Sequence, residues 1–205
     1  PPRFLSSHSR QLKKLGIWLD QGFSDHKTPA GHWFQLPCFH VELPGLQNLS
    51  LNGYLPAYLP NPAAADYVLR YNDELTTLRL TVARFSFSEV NDLFNGFAAE
   101  SKLRKLHIST VHLSPDLLRF LSTALPDLQY VTITFNSLLP PEGSEISLDA
   151  EANAEGFCEE IKNLYVPEWA VHSLFIPLGY RNNVKYRTAL ATAFPNILTF
   201  NGLER

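Results

Sequence analysis

His107, His112 and His172 are side chains suited to proton transfer near neutral pH, and Glu89 is the carboxylate considered as an acid–base partner for the first two. His107 and His112 flank the end of a predicted strand. A metal site would need His-x-His, His-Glu-x-x-His or a close cysteine pair. None is present, so the histidines read as isolated surface residues and no metal is expected. An acid–base pair of Glu89 with His107 or His112 would suit a small enzyme or defence protein of nuclease or toxin type, but only if they share a face of the fold. Phosphate-cradling and nucleophile-elbow signatures (GxxxxGK, GxGxxG, GxSxG) are missing, so neither a cofactor nor a hydrolase centre is expected, and the simpler expectation is a non-enzyme. Glu142, Glu145, Asp149, Glu151 and Glu155 read as a solvated acidic surface. Asn48-Leu49-Ser50 matches a glycosylation sequon but falls on a predicted strand. Trp169, beside Pro167, reads as a packed corner.

The elements that hold these groups repeat. An apolar-x-x-apolar-x-apolar pattern occurs at Leu12, Leu15, Ile17; Leu46, Leu49, Leu51; Leu75, Leu78, Leu80; Leu103, Leu106, Ile108; Leu128, Val131, Ile133; and Val171, Leu174, Ile176. A degraded copy follows at Ile197 and Phe200. LPGLQNLSL (43–51) and LPDLQYVTI (125–133) align residue for residue. Leu46, Leu75, Leu103 and Leu128 succeed one another at steps of 29, 28 and 25 residues, in the range of roughly 20–29 residues typical of leucine-rich repeats. Helix signals lie between the copies. Ser86-Phe87-Ser88-Glu89 is a capping box ahead of Val90, Leu93, Phe94 and Phe97; Ser114-Pro115 is an N-cap with proline behind it, ahead of Leu117, Leu118, Leu121 and Leu125. Further helices are predicted over about 151–164 and 183–194. The expected architecture is α/β: one leucine-rich-repeat solenoid over 1–205, parallel strands on the concave face and helices on the convex face, with an irregular insertion at about 20–43 and a loop at about 139–150.

Composition narrows the function. A net charge of −3 offers no general attraction to nucleic acid or anionic lipid, and no apolar run approaches a membrane span. Two cysteines in dissimilar contexts suit reduced thiols in the cytoplasm or nucleus better than a secreted disulfide framework. The absence of methionine, a start methionine included, reads as a fragment or a processed product of a longer protein. Phe4 and Leu5 are expected to cover the apolar flank of the first repeat.

The order of repeats, and above all FCEEIKNLYVPEWAVHSLFI (157–176), a helix, a Pro-acid-Trp corner and a repeat strand, resembles the C-terminal region of the F-box/leucine-rich-repeat proteins of mushroom-forming fungi. The resemblance spans nearly the whole chain and is diffuse outside that corner. It implies a protein-interaction module, the substrate-recognition part of a ubiquitin ligase. No helical Leu-Pro-x-Glu-Ile segment stands at the start, so adaptor binding does not carry over to these residues.

If the apolar triplets point inward, the alternating residues face outward. They include Trp18, Arg79, Lys105, His107, Tyr130 and Phe175, embedded among small hydroxyl and amide residues and without an acid. These six form the expected binding surface for a protein partner with an acidic or phosphorylated segment. Arg79 and Lys105 would be its electrostatic centre and Tyr130 its anchor.

Overall fold

The computed structural model describes residues 2–19, 34–53, 62–97, 101–138, 150–177 and 183–204. The 139–149 loop and most of the 20–43 insertion lie outside them. The described residues form an α/β structure around one open sheet. Its strands are β1 (Lys14–Leu19), β2 (Asn48–Gly53), β3 (Thr77–Phe85), β4 (Lys105–Leu113), β5 (Tyr130–Leu138), β6 (Ser173–Phe175), β7 (Thr199–Phe200) and β8 (Leu203–Glu204). They lie in sequence order, β1 to β7 all parallel, and β8 turns back antiparallel on β7. Helices α2 (Pro62–Leu69), α3 (Phe87–Asn95), α4 (Pro115–Ala124), α5 (Ala150–Asn163) and α6 (Asn183–Ala193) fill the crossovers, and each packs on the next. Parallel neighbours require such a covered crossover.

The repeated apolar triplet builds the core. Leu15, Leu49, Leu78, Leu106, Val131, Leu174 and Phe200 stand side by side across seven strands, and Ile17, Leu51, Leu80, Ile108 and Ile133 form a second row. From the second strand onward these positions are buried, as are Leu46, Leu75, Leu103, Leu128, Val171 and Ile197, which lead into the strands. The stack is also pinned through its backbone. The carbonyls of Lys13, Gln47, Thr76, Arg104, Gln129 and His172 each accept from two consecutive N–H groups of the next unit (Gln47 and Asn48, Thr76 and Thr77, and so on to Leu198 and Thr199), at 2.8–3.1 Å.

The helix starts follow from local chemistry. Ser86 Oγ accepts from Glu89 N while the Glu89 carboxylate accepts from Ser86 N and Oγ, completing the capping box of α3. Ser114 Oγ accepts from Leu117 N ahead of α4. Trp169 is buried; its Nε1 donates to the Leu125 carbonyl at 3.1 Å and its ring meets Phe194 edge-on. The corner thereby ties the β6 crossover to the ends of α4 and α6.

Three expectations change. His107 and His112 both lie inside β4, because β3, β4 and β5 run on for nine residues where the triplet alone suggested about five. Two helices carry too little apolar periodicity to be read in advance: α2 and the polar, solvent-facing α1 (Pro2–His8). Of the two residues expected to cover the first strand, Phe4 is 61% exposed with its ring tilted against His8, and Leu5 is half-buried.

Candidate functional site

The sheet face opposite the helices carries the residues that alternate with the core rows. Across the strands they stand in register: Lys14, Asn48, Thr77, Lys105, Tyr130, Ser173 and Thr199 in one row; Gly16, Ser50, Arg79, His107, Thr132 and Phe175 in the next. Trp18, Asn52 and Thr81 begin a third row, which Ser109 and Thr134 continue. All six residues expected at the binding surface therefore lie on one face.

Most of the small polar groups here satisfy one another. Thr81 Oγ1 donates to Asn52 Oδ1 (3.0 Å), Asn52 Nδ2 donates to Ser50 Oγ (2.9 Å), Ser109 and Thr134 share a hydrogen bond of 2.6 Å, and Thr199 Oγ1 donates to Ser173 Oγ (2.9 Å). The cations are different. The ion pairs between described residues lie in turns and helices, and Arg79, Arg84 and Lys105 join none of them.

The structure divides the six residues into two groups. Trp18, Arg79 and His107 line a cleft of about 440 Å³, together with Thr81, Arg84, Thr134 and Phe135. Lys105 and Tyr130 form the second group. Lys105 Nζ lies over the Tyr130 ring, 4.6 Å from its centre, and the His172 ring meets the Tyr130 ring edge-on with centres 4.9 Å apart. Such a cation–π contact holds Lys105 toward the aromatic side rather than toward Arg79. Phe175 stands in the Arg79–His107 row two strands beyond His107 and is exposed, as are Trp18 and Tyr130.

Arg84 was not foreseen. Strict alternation from Thr77 would turn it inward. Instead Leu80 pairs with Ile108 and Phe85 with Thr110, so four residues of β3 (81–84) face the single Ser109 of β4. This irregularity buries Ala83 and Phe85 and leaves Arg84 exposed at the cleft. The available signal was the charge itself, since an unpaired guanidinium in the core would be prohibitively costly and a bulge is the standard remedy.

Burial first, and then the positive charge of Arg79, push the His107 imidazole down to about 4, so the ring is neutral at physiological pH. Its Nε2 is buried without a hydrogen-bond partner among the described residues. Glu89 is on α3, in the layer covering the other face of the sheet, with its carboxylate engaged by Ser86. The structure does not bring it together with His107. His112 pairs with Ser137 at 2.7 Å. No three His, Cys, Asp or Glu side chains converge as metal ligands among the described residues, and none of their helices is long and apolar enough to cross a membrane. Of the acidic surface, Glu155 pairs with Lys185 at 3.2 Å, and residues 142–149 lie outside the described part.

Comparison of the chain with protein-family models, curated proteins and solved structures returned no match.

Proposed function

We propose that the chain is a leucine-rich-repeat solenoid that binds another protein across its polar sheet face, as the substrate-recognition part of an F-box-type ubiquitin ligase in the cytoplasm or nucleus. Two features support the solenoid reading: the triplet recurs at near-constant steps, and each unit's backbone repeats the same two-into-one hydrogen bond onto its predecessor. The F-box assignment rests on the resemblance of the 157–176 segment and its corner.

The observation that carries the binding reading is the state of the charges on that face. Most hydroxyls and amides are paired with one another, while Arg79, Arg84 and Lys105 meet no carboxylate among the described residues and three aromatics are exposed on the same face. A chain of net charge −3 that gathers unpaired cations with exposed Trp, Tyr and Phe presents the composition of a recognition surface for an acidic segment. The alternative of a nuclease- or toxin-like enzyme needs an acid beside His107, and the described face supplies none.

The test is affinity capture with wild type and with the Arg79→Glu, Lys105→Glu double variant. Loss of the captured partner, with circular dichroism unchanged, is the expected result. Undiminished capture of every partner would move the binding surface elsewhere, to the Trp169 corner or to the 140–147 segment.

A further inference from the structure

Resting on that reading of the sheet face, we propose that the cleft between Arg79 and Arg84 receives the phosphoryl group of a phosphorylated side chain on the partner protein.

Charge is the first argument. Two guanidiniums from one strand reach the same cleft only because the β3 irregularity turns Arg84 outward. No carboxylate lines the cleft or pairs with either arginine among the described residues. A carboxylate ligand brings a single negative charge and would leave one guanidinium uncompensated. A phosphoryl group brings nearly two, with three acceptor oxygens that suit the planar fork of arginine. The second argument is which donors are free. One of the Ser109 and Thr134 hydroxyls is spent on the other and Thr81 donates to Asn52, so the guanidiniums are the charged donors left to meet a ligand. Size is the third. At about 440 Å³ the cleft falls among pockets that enclose small molecules, roughly 300–1,000 Å³. Trp18 and Phe135 supply apolar walls for the carbon skeleton that carries the phosphate.

His107 reports on occupancy. The charged groups around its ring are Arg79 and Arg84 of β3 and Lys105 two residues away on its own strand, and β5 brings only Thr134 and Phe135 to the cleft. A bound dianion offsets the Arg79 charge that depresses this imidazole, so its titration moves upward from about 4.

The experiment is an NMR titration of the intact chain, following the His107 ring, with the blocked amides of phosphotyrosine, phosphoserine and glutamate and with inorganic phosphate. Both phosphorylated amides are expected to bind and to raise the His107 titration. The glutamate amide should bind at least about tenfold more weakly, as should the phosphorylated amides to a folded Arg79→Ala, Arg84→Ala variant. Arg79→Lys with Arg84→Lys should restore part of the affinity. Equal binding of the glutamate amide, binding retained by the alanine variant, inorganic phosphate binding as tightly as the amides, or no response to any probe would each overturn the proposal. A second experiment separates it from the reading beneath it. Capture of the natural partner that survives phosphatase treatment sinks the phosphoryl proposal and leaves the sheet-face reading standing, whereas a Glu-variant surface that captures as well as wild type sinks the reading of this face as the binding surface.

Discussion

His107, half-buried, and Trp169, buried, show how differently two rings serve this protein. The imidazole is kept neutral by its surroundings, falling from 6.5 to about 4, chiefly through burial and secondarily through Arg79. The unfolded chain therefore takes up a proton below pH 6.5 that the folded chain refuses until about pH 4. The stability that neutral His107 supports is whole above pH 6.5 and drains away as the pH falls toward 4. Urea midpoints should fall across that window in wild type and fall less in His107→Gln; parallel profiles would contradict a ring kept neutral by the fold. Trp169 does structural work. Trp169→Phe keeps an aromatic ring against Phe194 but strands the Leu125 carbonyl, at a cost of about 1–3 kcal/mol. Trp169→Ala also opens a cavity and should lose about 3–5 kcal/mol. Denaturant curves showing both variants within a few tenths of wild type would mean that the corner is not packed as described.

The helices and strands show which parts of the sequence carried their own instructions. Helices α3 and α4 were legible because Ser86 and Ser114 cap them and an apolar stripe follows at helical spacing. Helix α5 has Phe157 and Ile161 on its buried side, and α6 buries Leu190. Helix α2 offers only Ala64, Tyr67 and Val68, barely one turn of pattern, and α1 has no buried stripe to advertise it. The outward row was legible as far as Thr81 because side chains alternate along a strand. Arg84 was not, because a register shift depends on pairing with β4, which no local pattern encodes. The repeat register did place Lys105 beside Tyr130; that the ammonium lies over the ring depends on side-chain placement and was not legible. Two substitutions probe the legible part. Ser86→Ala removes the cap of α3 and should cost about 1 kcal/mol. Leu106→Ala truncates the middle of the core row, with Leu106 2% exposed, and should cost about 2–5 kcal/mol. A thermal melt of Leu106→Ala within a degree of wild type would refute the register of the sheet.

The molecule as a whole sorts its chemistry between two surfaces. Helices close one side of the sheet over a continuous apolar core, and the other side is left to polar side chains whose hydrogen bonds run from strand to strand. The described ion pairs sit in the turns and helices, so the cations of the sheet face have no acidic partner there. The repeat pattern made this division legible in the sequence, while the cleft, which needs Trp18 from β1, Arg84 from β3 and Phe135 from β5 at one place, became visible only with the strands assembled. If that face is where a partner binds, contact should map to it and not to the helices. Benzoyl-phenylalanine at Thr132, in the row between His107 and Phe175, and at Arg119, exposed on α4, allows the two sides to be compared by photo-cross-linking in the native extract. The account predicts a partner adduct from position 132 and none from position 119. An adduct formed from 119 alone would contradict it.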